Sequence, residues 1–301
     1  MANSNGWGDG AANNTIGWGQ GANNAVGWGD SHAKSYAGLT DIVGITTDAD
    51  AQAFITAAAI TDPTQQAAIN TLVVDLKGYN VWSKMKALYP FVGGSATAHS
   101  YNLRNTAQYQ INWNGGITHS ANGVLFGGVN GWANTNLSPS SILVANNNHV
   151  SVYSRTAAAR TNVFAVDWGQ ATSLSGDNAI YGFCRRSSNL AFYAATNAAG
   201  SGTLSASNTD GSGMYINSIT SATSRKIYRN TSTLATLTTN VSQTLSAFNI
   251  AIGALNANTG ASLYSDYQAA FFSIGNGLTD TEAANLRTAV QAFQVALSRN
   301  V

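Results

Sequence analysis

The chain has 301 residues, a formal net charge of +1, and 9% charged residues against 44% hydrophobic ones. Ordinary globular chains carry about 25% charged residues, so this surface must be wetted by amides and hydroxyls, chiefly from Asn, Ser and Thr. The near-neutral balance gives no electrostatic footing for nucleic acid or a membrane surface. No apolar run reaches the length of a membrane span, and the lone Cys184, expected to be buried, excludes a disulfide framework and a cysteine-based zinc site.

Residues 1–47 open on MANSNGWGDG, which has neither a basic n-region nor an apolar h-region, so no signal peptide is expected. They carry an internal repeat, Asn-Asn-x-(Ile/Val)-Gly-Trp-Gly, which sets Ile16 before Trp18 and Val26 before Trp28, with a shorter copy at Trp7. Glycines let the chain bend around each indole, and each indole offers a large apolar area. Repeated tryptophans with no core of their own point to docking into another protein. Residues 31–47 read as an extended connector.

Residues 48–95 read as a small helical block. Thr47 or Asp48 can cap a helix bearing Phe54 and Ile55. Asp62-Pro63 is a helix start with proline at the first helical position and Gln65 at the third, and Gly78 stops that helix. Ile69, Leu72, Val73 and Leu76 form one apolar face, which needs a partner in the β region or in a neighbouring subunit. Residues 81–88 are expected as a further short helix ended by Tyr89-Pro90.

From about residue 100 the period changes to two. Ala107, Tyr109, Ile111 and Trp113 alternate with Gln108, Gln110 and Asn112, the pattern of a half-buried strand. Further strands are expected at 141–144, 149–154, 162–168, 179–184, 190–194, 214–218, 225–229, 234–238, 248–255 and 267–274, with Asn, Gly and Ser clusters between them. Many short strands with turns between them predict a mainly β, antiparallel sandwich over 96–301. Gly275-Asn276-Gly277 reads as a turn tolerant of positive φ. Thr279 and Glu282 then make a capping box ahead of a stripe of Leu286, Val290, Phe293 and Leu297, so a C-terminal helix closes the fold.

Two stretches carry a resemblance. The strand Lys226 to Arg229 with its Asn230-Thr231 turn resembles the Tyr-x-Asn-Gly hairpin of concanavalin-like and laminin-G-like jelly rolls, with Thr231 in place of the family's glycine. Leu278-Thr279-Asp280-Thr281-Glu282 is similar to the start of that family's closing helix. The tryptophan–glycine repeats, YAGLTDIVG from Tyr36, the helical block from Thr61 to Gly94 and the run Thr118 to Arg155 together resemble virion structural proteins of bacteriophages of Bacteroidetes-type hosts. That resemblance implies a head or tail fibre or appendage component. It implies partners among capsid, collar or tail proteins, a homo-oligomer (most readily a trimer), and location in the virion.

Catalysis finds little material. Glycoside hydrolysis needs two carboxylates astride one bond, and Glu282, the only glutamate, is explained by its cap. Asp167, Asp177, Asp210 and Asp266 remain, and Asp177 and Asp210 sit in turn sequence. His32, His99, His119 and His149 show no metal-ligand spacing. Some laminin-G-like domains hold calcium at a rim, and Asp167 and Asp210 would be the candidates here. No cofactor and no other metal is expected. Glycan recognition uses aromatic faces and amides, for which Trp132, Tyr153 and Tyr228 are the candidate residues, with Trp113 read as core. The expectation is a non-enzymatic virion protein. A dedicated glycan-receptor binder is the first alternative and a polysaccharide-degrading enzyme the second.

Overall fold

Short apolar and aromatic runs punctuated by Asn, Gly and Ser build two sheets in the computed structural model, which describes residues 47–301 except 196 and 198–200. The repeat residues Trp7, Ile16, Trp18, Val26 and Trp28 lie outside the described residues.

Among the described residues, the first sheet has eight strands. From one edge they run Ser232–Leu237, Ser224–Arg229, Gly213–Ser221, Asn148–Ser154, Gln268–Gly275, Gly123–Phe126 and Ile117–Ser120. Met85–Tyr89 joins the same side of Gln268–Gly275 as Gly123–Phe126, pairing Tyr89 with Phe272 and Met85 with Gly275. The second sheet has nine strands, in the order Thr203–Ser207, Leu190–Ala195, Ile180–Phe183, Trp168–Gln170, Ala251–Ile252, Trp132–Asn134 and Asn112–Asn114, with Leu255–Ala257 and Gly260–Ser262 to the side. Pairing is antiparallel apart from one parallel contact of Asn256 with Gln170. The expected sandwich with a closing helix is therefore present.

The first sheet is covered on both faces. Val150, Val152, Phe272 and Ile274 meet Trp168, Ile180, Tyr193 and Ile252 of the second sheet. On the other face Tyr153, Met214, Ile216 and Phe271 meet Ile69, Leu72 and Leu76 of the helix Pro63–Gly78 and Leu286, Val290 and Phe293 of the helix Asp280–Ala296. Burial of each such aliphatic or aromatic side chain contributes about 2 kcal/mol. This is why every residue of Asn148–Ser154 is buried. The helical block thus finds its partner within its own chain, and 48–95 is not a separate domain: Asp48–Val301 forms one compact unit.

Local signals fix the helix starts. The Asp62 carboxylate accepts from the Gln65 N–H at 2.9 Å. Thr279 Oγ1 accepts from the Glu282 N–H at 3.3 Å while the Glu282 carboxylate accepts from the Thr279 N–H at 2.9 Å, a reciprocal cap worth about 1 kcal/mol. Lys84 adds an ion pair to Glu282 at 3.0 Å. Near the C-terminus, the buried Arg299 guanidinium donates to the carbonyls of Pro90 and Phe91 at 2.7 Å and of Ala270 at 2.9 Å.

Several expectations fail for physical reasons. Residues 81–88 form one short turn, Trp82–Lys84, then the strand Met85–Tyr89, because pairing to Gln268–Gly275 outweighs helical spacing. The alternation at 107–113 is mostly loop, and only Asn112–Asn114 is strand. Residues 141–144 begin in the short helix Pro139–Ile142, and 162–168 is loop until Trp168. Gly275 and Gly277 are not left-handed; they are required by close approach. A Cβ at Gly275 would fall 2.1 Å from the Lys84 carbonyl oxygen, and one at Gly277 2.0 Å from that of Ile219.

Candidate functional site

A loop, 101–111, supplies more of the site than any other segment, and one buried amide organises it. Asn102 is fully buried. Its Oδ1 accepts from the Leu88 N–H at 2.9 Å and the Arg104 N–H at 3.0 Å, and its Nδ2 donates to the Gln108 carbonyl at 3.3 Å. Asn105 makes a local turn, its Oδ1 accepting from the Ala107 N–H at 3.0 Å. Tyr89, on the adjacent strand, donates its hydroxyl proton to the Tyr109 carbonyl at 2.6 Å. Tyr109 is held at φ 55°, an uncommon conformation for a bulky residue and one that concentrates where surroundings over-determine the backbone.

Against this loop lies a cleft of about 470 Å³. Met85, Tyr109 and Ile142 give it apolar surface; Ser83, Asn105, Gln108 and Ser141 bring hydroxyls and amides. Its two charges are Lys86 and Arg104, and no carboxylate lines it. The register of Met85–Tyr89 slips between Met85 and Ala87, at Lys86, the kind of irregularity that re-aims a side chain. The Arg104 guanidinium lies over the Trp82 ring at 5.1 Å. Its Nε is enclosed and has no hydrogen-bond partner among the described residues.

Removing the organising amide should open this loop. Asn102→Ala leaves the buried Leu88 N–H without its acceptor, and we expect it to cost about 2 kcal/mol in urea unfolding. The loop's amide hydrogens should exchange faster than those of the sheets, which a hydrogen-exchange experiment reads directly.

A second cleft, of about 370 Å³, lies between the hairpin and the C-terminal helix. Tyr228, Asn230, Thr233, Asp280 and Arg287 line it. Tyr228 donates to Asp280 Oδ1 at 2.6 Å, and Lys226 reaches the same carboxylate at 2.7 Å. Hydrogen bonds from Lys226 and Tyr228 hold Asp280 below the usual carboxylate range, while burial and that carboxylate raise the Tyr228 phenol.

The candidate residues are scattered by the fold. Tyr228 lines the second cleft. Trp132 is half-buried on the strand Trp132–Asn134 and lines neither cleft. Tyr153 is a correction: it is fully buried under the C-terminal helix, its hydroxyl accepting from the Val301 N–H at 2.9 Å, so no ligand can stack on it. Trp113, read as core, is half-buried against the edge of the core, with its ring centroid 4.6 Å from that of His119 and its Nε1 donating to the Ala96 carbonyl.

Asp167 and Asp210 are engaged by protein partners. Asp167 is fully buried and receives Arg160 Nε at 2.7 Å and Nη2 at 2.9 Å, together with the Cys184 N–H and the Ser265 hydroxyl. Asp210 pairs with Arg229 at 2.5 Å. Among the described residues no group of three or more His, Cys, Asp or Glu side chains converges. Sequence reasoning missed Lys86, Arg104, Asn105 and Gln108. The usable signal in the sequence is Asn102 and Asn105, two turn-forming amides flanking an arginine just ahead of the alternation at 107–113.

No protein-family model and no curated protein matches the chain. Among solved structures it is similar to domain 4 of AbnA, an extracellular arabinanase from Geobacillus stearothermophilus, in complex with arabinotriose. That match has 15% identity and a TM-score of 0.49 over 68% of this chain and 98% of that one. The CBM40 of the Ruminococcus gnavus IT-sialidase, bound to alpha2,3 sialyllactose, matches at 14% identity and a TM-score of 0.35 over 47% of this chain and 81% of that one. A botulinum neurotoxin type C structure matches at 11% identity and a TM-score of 0.47 over 70% of this chain, which spans about half, 52%, of that one. None of these similarities places a ligand or a residue role in this chain.

Proposed function

We propose that the chain is a non-catalytic binding component of a bacteriophage virion, docked by its tryptophan–glycine repeats and presenting the cleft beside Arg104 to a saccharide of the host surface. The observation that carries the binding part is the chemistry of that cleft: amides, hydroxyls and one aromatic ring around two cations, with no carboxylate. Sugar rings are held by such amides and by apolar ring faces. Hydrolysis of a glycosidic bond would need two facing carboxylates, and neither cleft offers a pair. The virion part is supported by the repeats at Trp7, Trp18 and Trp28, which carry a large apolar area on glycine-rich chain.

Both parts are testable with the full chain. On an array of surface polysaccharides we expect retention without any release of shortened product. Release of oligosaccharides would replace binding with hydrolysis, and no retention on any saccharide would remove the glycan reading. Particles assembled with a chain lacking residues 1–30 should carry little of it; a full complement would end the docking role.

A further inference from the structure

We propose that the cleft beside Arg104 selects an acidic saccharide, its carboxylate or sulfate seated between the Arg104 guanidinium and the Lys86 ammonium. This rests on the reading of that cleft as a saccharide site, and adds the chemical class of the ligand.

Two observations converge on an anion. First, two cations share one cleft and neither has a carboxylate partner among the described residues, whereas the lysines and the glutamate around them are paired. Lys77 is matched by Asp48 at 2.7 Å and Asp50 at 2.6 Å, and Lys84 by Glu282 at 3.0 Å. Both cations line the same cleft, and an anion bound there would neutralise them. Second, Arg104 is positioned at both ends. Asn102 accepts from its backbone N–H at 3.0 Å, and the Trp82 ring supports its guanidinium plane at 5.1 Å. A guanidinium lying on an indole keeps its edge free for the two parallel hydrogen bonds that carboxylate and sulfate oxygens accept.

The hydroxyls and amides of Ser83, Asn105, Gln108 and Ser141 then face the uncharged part of the ligand. Lys86 adds a compact point charge, which attracts either anion without demanding its geometry.

The experiment measures equilibrium binding of the full chain to oligogalacturonate and its methyl ester, and to dextran sulfate and unmodified dextran. The charged member of at least one pair should bind about tenfold more tightly than its neutral counterpart, equivalent to about 1.4 kcal/mol. Preference in the first pair assigns a carboxylate, preference in the second a sulfate. Raising sodium chloride from about 0.05 M to about 0.5 M should weaken that binding several-fold. Arg104→Gln and Lys86→Gln should each abolish most of the preference, while Arg287→Gln, which removes a charge from the other cleft, should leave it intact. Lys86 is half-exposed on its strand, so its variant keeps the test sharp if Arg104→Gln fails to fold. Equal binding of charged and neutral members, or a preference that survives Lys86→Gln, overturns the inference while leaving saccharide binding standing. Absence of binding to these probes and to every saccharide of the array removes both.

Discussion

Asp167→Ala is expected to cost about 3–5 kcal/mol of folding free energy. Domains are stable by only about 5–15 kcal/mol, so the variant would be at or near the edge of folding. The carboxylate is fully buried, with Arg160 across it at 2.7 and 2.9 Å. Burial alone would lower the Arg160 pKa; the facing carboxylate outweighs burial and raises it. Removing Asp167 strands that guanidinium, which also lies 5.0 Å over the Tyr267 ring, and orphans the Cys184 N–H and the Ser265 hydroxyl. The double variant Arg160→Met, Asp167→Leu removes both charges and should lose far less, because matched apolar replacement of a buried pair is often close to neutral. Urea-unfolding midpoints of the two variants decide the matter. Equal losses would mean that packing around Asp167, and not the stranded cation, sets the cost.

Lowering the pH from 7 to about 4 should destabilise the protein by on the order of 6 kcal/mol, through His99 and His149 together. Both rings are buried, and burial is the main reason their pKa values fall, to about 3 for His99 and about 4 for His149. In the unfolded chain each protonates near the ordinary histidine value of about 6.5. Between those limits the unfolded state holds protons the native state refuses, so stability declines as pH drops. His99 shares a 3.0 Å hydrogen bond with His119, whose own pKa burial also lowers, and it feels the Arg299 cation. His149 hydrogen-bonds the Asn276 carbonyl at 2.5 Å and lies under the opposed influence of Glu282 and Lys84. Asp48, Asp210, Asp280 and Glu282, all held low in the fold, extend the loss to more acid pH. Unfolding free energies at several pH values give the slope, and His149→Gln should flatten it. An unchanged slope would mean that His149 is protonated at the same pH folded and unfolded.

Local chemistry was legible, and non-local pairing was not. The Thr279–Glu282 cap and the Asp62-Pro63 start are written in a few adjacent residues, and both stand in the structure. Met85–Tyr89 was hidden because its partner strand is Gln268–Gly275, and residues 81–88 meanwhile have apolar spacing compatible with a helix. Period two located the strand bearing Tyr153, but alternation only sorts residues to two faces. It does not tell a solvent face from one covered by a helix, and Tyr153 fell on the covered one. The cleft left still less trace. Ser83, Lys86, Arg104 and Ser141 have no shared motif or spacing, and only the folded sheets and the Asn102-centred loop bring them to one place.

The order of strands also governs how a nascent copy is made. Gln268–Gly275 occupies the middle of its sheet, yet the ribosome makes it after every strand it pairs with. Until it emerges, the backbone groups of Met85–Tyr89 that pair with it are bare, and the helix Pro63–Gly78 lacks part of its apolar seat. Exposed edges of this kind recruit other chains, and contacts between distant segments form slowly. Translation must therefore pass Gly275 before the core can close. Over that interval, chaperone supply and crowding among growing chains govern how much polypeptide reaches the native state.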